Sequence, residues 1–94
     1  MIREYYYYYD RDMKRRPIKT HCIIISEEGF IAKGTAICSK KDQPYKNLGK
    51  LIAFQRAVAA LASGSSKYDE KKKFYKYIFD PELNEREKRI VRIQ

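Results

Sequence analysis

The chain predicts a small α+β domain: a three-stranded antiparallel sheet packed by one long helix, followed by helical C-terminal segments. Three observations lead there. The five tyrosines Tyr5–Tyr9 have strand composition, THCIIISEEGFIAKGTAICS reads as a β-hairpin, and start and stop signals bracket an Ala-rich helical stretch. At 94 residues there is room for one domain, 1–94, and one modest core.

The first strand is expected over about residues 3–9. Alternation turns Tyr5, Tyr7 and Tyr9 one way and Tyr6 and Tyr8 the other. Tyrosine suits either side, because its ring can bury while its hydroxyl stays wet. The hairpin is expected over 20–27 and 30–39. A two-residue turn at Glu28 and Gly29 sets Ile25 opposite Ala32, Ile23 opposite Gly34 and His21 opposite Ala36. That register gathers Ile23, Ile25, Ala32, Gly34, Ala36 and Cys38 on one face and leaves Cys22 and Ile24 on the other.

The helix is expected over about 43–62, with Asp42 as cap, Pro44 in the first turn and Gly64 past the end. Leu48, Leu51, Phe54, Val58 and Leu61 share a stripe expected to cover the hairpin. Gly49, Ala53, Arg56, Ala57 and Ala60 then form a second face that is small where a solvated face would be charged. The chain's own C-terminal segment is expected against it, with a second copy or a partner protein as alternatives. Residues 68–79 are assigned to a helix on the spacing of Tyr68, Tyr75, Ile78 and Phe79, although FYKYIF has strand composition. Asp80, Pro81 and Glu82 read as the start of a last short helix.

The functional signal is charge. The chain carries a formal +9 and a pI near 9.6, a field that attracts polyanions and makes their binding salt-dependent. The excess is local: residues 10–20 and residues 67–76 each carry a net +3, whereas residues 80–94 sum to zero. Lys14, Arg15 and Arg16 fall between the tyrosine strand and the hairpin, and Lys40 and Lys41 between the hairpin and the helix. Lys71, Lys72 and Lys73 are interleaved with Tyr68, Phe74, Tyr75 and Tyr77. Basic side chains neutralise phosphates, and a tyrosine such as Tyr75 can stack on an unpaired base for roughly 1–3 kcal/mol. The same tyrosines also read as core, with the lysines as a solvated rim.

Other chemistry has little to work with. His21 is the single histidine, and Cys22 and Cys38 have no Cys-x-x-Cys spacing, so neither a metal nor a catalytic constellation is expected. The four glycines are scattered, unlike those of a phosphate-binding loop, and no cofactor is expected. No apolar stretch approaches the roughly 20 residues of a membrane-spanning helix. With no secretion leader and two free thiols, a cytoplasmic setting without membrane contact is expected.

Two resemblances add context. The stretch ICSKKDQPYKNLGKLIAFQRAVAAL, strand then lysines then an Ala-rich helix, resembles the second half of double-stranded-RNA-binding domains, which implies lysines at a helix start meeting phosphates. The pattern Gly34, Ala36, Cys38, Ser39, Asp42, Lys46, Gly49, Ala53, Arg56, Ala57 and Leu61 resembles small proteins encoded by bacteriophages and mobile elements. That resemblance implies a host partner, including the nucleases that such proteins inhibit. The expected function is therefore a non-enzymatic, basic accessory protein that binds RNA or DNA, alone or within a nucleoprotein complex. The alternative is a protein-binding inhibitor of a host defence enzyme, in the manner of anti-CRISPR proteins, acting through the Ala/Gly helix face or an exposed sheet; a homodimer is also admitted.

Overall fold

The tyrosine run is a strand, and it is the edge of a larger sheet than its sequence foretells. A computed structural model describes residues 1–14, 17–37 and 46–92. Strands β1 (Ile2–Arg11), β2 (Pro17–Ser26), β3 (Ile31–Ile37), β4 (Lys67–Asp69) and β5 (Phe74–Phe79) form one antiparallel sheet in the order β1-β2-β3-β5-β4. Helix α1 (Lys46–Ser63) packs on one face and the short helix α2 (Glu85–Arg92) lies against the other. The α+β class holds, but five strands replace the three expected.

The two extra strands come from the segment assigned to a helix. Residues 68–79 form most of the β4–β5 hairpin, in which Tyr68 faces Tyr75 and Asp69 faces Phe74. The spacing of three, four and seven is interrupted by the turn between Tyr68 and Tyr75, and within FYKYIF the alternation of Tyr75, Tyr77 and Phe79 and the aromatic composition decide for the strand. Asp69 builds the turn: its carboxylate accepts the backbone N–H groups of Lys71 and Lys72 at 3.0 Å each, and its carbonyl accepts that of Lys73 at 2.8 Å. Asp80 is not a helix cap either. It sits at φ +55° at the end of β5 and donates its N–H to the Ile31 carbonyl at 2.8 Å. The cap of α2 lies further on, where Asn84 Oδ1 accepts the Glu87 N–H at 2.8 Å and Glu87 Oε1 accepts the Asn84 N–H at 3.0 Å. This is a reciprocal capping box with asparagine in the usual serine or threonine place.

The hairpin register is shifted by one residue from the expected one. Ile25 pairs with Ile31, Ile24 with Ala32, Cys22 with Gly34 and Thr20 with Ala36. The turn is the cause. Ser26 and Phe30 close a loop of Glu27, Glu28 and Gly29, with Gly29 at φ +92°, so the connection has three residues where two were expected. Because strand side chains alternate, one added residue swaps the faces. Cys22 and Ile24, together with Ala32, Gly34 and Ala36, therefore form the α1 side, and Ile23 and Ile25 the other. Cys22 is a buried free thiol whose pKa burial pushes up to about 12; Cys38, Asp42 and Pro44 lie outside the described residues.

Helix α1 is turned from the expected orientation: Phe54, Val58 and Leu61 of the expected stripe flank the core half-buried, and the small face lies at its centre. Ala53, Ala57 and Ala60 are fully buried against the sheet, whereas Leu48 and Leu51 are each 53% exposed. The Ala/Gly face is thus internal core, covered by the sheet, to which the C-terminal segment contributes Tyr77 and Phe79 from β5 as strand and not as helix. Close approach explains the rotation. A Cβ placed on Gly34 would overlap the Ala53 carbonyl oxygen and the Ala57 amide nitrogen and lie 2.9 Å from Arg56 Cβ. Strand and helix backbones meet there, and only small side chains fit around the contact. Gly64, at φ +62°, ends the helix as its sequence indicates, donating to the Ala60 carbonyl at 2.9 Å.

Candidate nucleic-acid interface

Strand direction determines which loops share an end of the molecule. β1, β3 and β4 run one way and β2 and β5 the other, so the β1–β2 and β4–β5 connections and the end of β3 lie together. Helix α1 starts at this same end. Gly49 in its first turn abuts Thr20, which pairs with Tyr9 and Ala36, while Val58, Leu61 and Ala62 lie with Ser26, Phe30 and Phe79 at the other. The positive pole of the α1 dipole is therefore added to the basic end.

This end carries Arg11, Lys14 and Lys19 from the β1–β2 side and Lys71, Lys72 and Lys73 from the β4–β5 turn. Lys14, Lys71, Lys72 and Lys73 are all exposed. Three strand spacings, roughly 15 Å, separate the two hairpins where the sheet is paired, and β3 and β5 part beyond Gly34, so the tips stand at least that far apart, a span that meets several phosphates of one backbone. Asp10, Asp12, Asp69 and Glu70 offset part of the charge at this end, but the described cations outnumber them, while Glu27, Glu28, Asp80 and Glu82 outnumber Arg3 and Lys67 towards the opposite end of the sheet, which leaves the molecule polarised along its strands. Arg15, Arg16, Lys40 and Lys41 lie outside the described residues, but the chain leaves Ile37 and re-enters at Lys46 at the basic end.

Aromatic groups adjoin the lysines on one side. Tyr75 and Tyr68 are half exposed and meet edge to face with centroids 4.8 Å apart on the outer hairpin. Of the first five tyrosines, Tyr5 is the exposed one, resting edge-on against Tyr7 and Phe54 at 5.9 and 5.7 Å. Tyr7 instead lies in the core under α1, with Lys50 Nζ 5.3 Å from its ring centroid.

On the face away from α1, sequence reasoning missed a polar cluster that ties α2 to the sheet. Tyr8 donates its hydroxyl to Glu87 Oε2 at 2.6 Å, and Lys33 Nζ reaches the same oxygen at 2.7 Å. Arg86 bonds Asp10 Oδ1 at 3.2 Å and the Tyr9 carbonyl at 2.7 Å while lying 4.7 Å from the Tyr8 ring centroid. His21 stacks on Tyr8 with centroids 4.5 Å apart, its Nε2 at 2.8 Å from Asp10 Oδ2 and its Nδ1 at 2.9 Å from Thr35 Oγ1. A carboxylate only accepts, so Nε2 carries the proton and the Thr35 hydroxyl donates to Nδ1 of a neutral ring. An acid, an imidazole and a hydroxyl in line have the order of a hydrolase triad. Here His21 is 7% and Thr35 6% exposed, and the line ties β1, β2 and β3 together. Among the described residues no three of His, Cys, Asp and Glu gather as metal ligands.

These ties give stability a definite pH dependence. Burial lowers the His21 pKa from 6.5, with the Asp10 hydrogen bond opposing it and Lys33 adding to it. Burial alone would raise Asp10 and Glu87, but the His21 bond and Arg86 outweigh it at Asp10. The Asn84 N–H, Lys33 and Tyr8 outweigh it at Glu87, so both carboxyls lie below 3.8 and 4.5. Burial and then Glu87 raise Tyr8. Below pH 6.5 the unfolded chain takes up a proton at His21 that the folded chain refuses, and below 4.5 the carboxylates follow in the same sense. Above pH 9 the unfolded chain loses protons that Cys22 and Tyr8 retain when folded. Unfolding free energy measured in urea should therefore be flat between about pH 7 and 9 and fall on both sides. His21→Gln should remove the decline that begins near 6.5; a wild-type curve flat down to pH 5 would show that His21 does not contribute.

Compared with protein-family models, curated proteins and solved structures, the chain finds no match that would show a family.

Proposed function

We propose that this protein binds nucleic acid, free or within a nucleoprotein complex, through the basic end of its sheet, as a small non-enzymatic accessory protein of the kind that bacteriophages and mobile elements encode. The observation that carries this reading is the convergence of separate basic segments on one end, beside the exposed pair Tyr68 and Tyr75. Lys71 to Lys73 are presented on a turn that Asp69 pins by three backbone hydrogen bonds, so little ordering entropy is lost when they meet phosphates. No described helix is long and apolar enough to cross a membrane, and a cytoplasmic target suits this reading.

The test is binding to single- and double-stranded oligonucleotides over a salt series. Affinity should fall steeply with salt, and Lys71→Glu, Lys72→Glu and Lys73→Glu together should weaken it for every sequence and flatten the log–log slope by roughly 2–3. Binding that ignores salt, or none at all, overturns the proposal. The exposed Leu48 and Leu51 on the outer face of α1 favour the second reading, a protein-binding inhibitor of a host enzyme, on a surface other than the Ala/Gly face. A host partner that stays bound after nuclease treatment and in high salt would select it.

A further inference from the structure

β3 and β5 are paired at Ala32, Lys33 and Gly34 and then part, so the sheet forks toward its basic end. Arg56 of α1 enters this fork. Its Nη1 donates to the Thr35 carbonyl at 2.6 Å, and among the described residues this is the guanidinium's one hydrogen bond. Arginine has five N–H donors, so most of them have no hydrogen-bond partner among the described residues. In front of Arg56 is a cavity of about 110 Å³ lined by Lys72, Lys76, Asp69 and Phe74, with Ile37 and Ile52 as apolar walls. Asp69 answers part of the charge, 3.9 Å from Lys76 Nζ. Three cations and one carboxylate leave the lining at a net +2.

We propose that this fork binds a phosphate monoester dianion. The cavity is well below the roughly 300–1,000 Å³ of a site for a drug-sized ligand, and its charge matches a group carrying about −1.5 to −2 at neutral pH. A planar guanidinium held by one bond to a carbonyl offers its remaining N–H groups in the fork geometry that phosphate oxygens accept in pairs. Lys72 and Lys76 supply the flanking charge. An internal phosphodiester, with one negative charge, would satisfy the site only in part, so a terminal phosphate is the better match. The inference deepens the nucleic-acid reading and rests on it: it places a 5′-phosphorylated end in the fork while the neighbouring lysines hold the backbone.

The experiment uses two probes on the full chain. Inorganic phosphate is titrated while amide and Arg56 side-chain resonances are followed, and a short single strand is compared with and without its 5′-phosphate. Saturable shifts at Arg56, Lys72 and Lys76, with tenfold or greater preference for the phosphorylated strand, are expected. Arg56→Lys keeps the charge and loses the fork, and Lys72→Gln alters only an exposed side chain; each should reduce the preference, so the test survives if one variant folds poorly. Equal binding of both strands with no phosphate shifts overturns the pocket and leaves the nucleic-acid reading standing. Phosphate shifts without any oligonucleotide binding uphold the pocket as a site for a free phosphate monoester and overturn the nucleic-acid reading.

Discussion

Gly34→Ala should destabilise the fold by about 3 kcal/mol or more, at or beyond the upper end of overpacking effects. The added methyl meets the Ala53 carbonyl and the Ala57 amide, which are helix backbone, so no rotamer change can relieve it. Strand and helix have to separate, and Ala53 and Ala57, fully buried now, lose their contacts along the length of α1. Gly49→Ala is the internal control. Its methyl would lie 2.7 Å from Thr20 Oγ1, a single contact with a buried side chain and not with backbone, so the shift required is smaller, and alanine adds up to about 1 kcal/mol of helix propensity. Urea unfolding of the two variants should differ by several kcal/mol, and equal midpoints would mean that the contact at Gly34 does not set the helix position.

Glu87→Ala should have the next largest effect, a loss of about 3–5 kcal/mol. Glu87 is 2% exposed and answers Lys33, the Tyr8 hydroxyl and the Asn84 N–H together. Without it Lys33, whose side chain is 17% exposed, remains as a charge with no counterpart, and α2 loses half of its capping box. The pair Lys33→Met with Glu87→Leu should recover much of the loss, because it removes both charges instead of stranding one. Hydrogen exchange gives a second readout, with protection in α2 lost first in Glu87→Ala. If the single variant unfolds like wild type, the network is not what holds α2.

The elements legible in the chain were those with local signals. The tyrosine strand and both hairpin strands follow from alternating β-branched and aromatic residues, and Gly64 ends α1 because it can adopt the positive φ that the last turn requires. The face of α1 was misread for a physical reason. Helical periodicity separates bulky from small residues, and hydrophobicity favours the bulky stripe, yet packing distance is set by the closest backbone contact, and at Gly34 that contact admits only alanines. In the same way the three-residue turn at Glu27–Gly29 exchanged the faces of the hairpin without altering its pattern of residues. As for the site, the clusters Lys14 to Arg16, Lys40 with Lys41, and Lys71 to Lys73 are visible as charge runs. Arg56, placed by sequence on a partner face, lies where β3 and β5 part, a position that depends on where the pairing of two distant strands ends.

The chain by itself determined that the tyrosine run and the two hairpin strands extend, where the long helix ends and how much positive charge the molecule carries, because these properties follow from composition and from neighbours within one turn or one strand. Tertiary structure decided what those segments meet. Antiparallel order brought basic hairpin tips more than fifty residues apart to one end of the sheet, and a backbone contact turned the Ala face of α1 inward. A buried glutamate joined Tyr8, Lys33 and α2. Each outcome depends on the register and separation of distant strands, which no local pattern encodes.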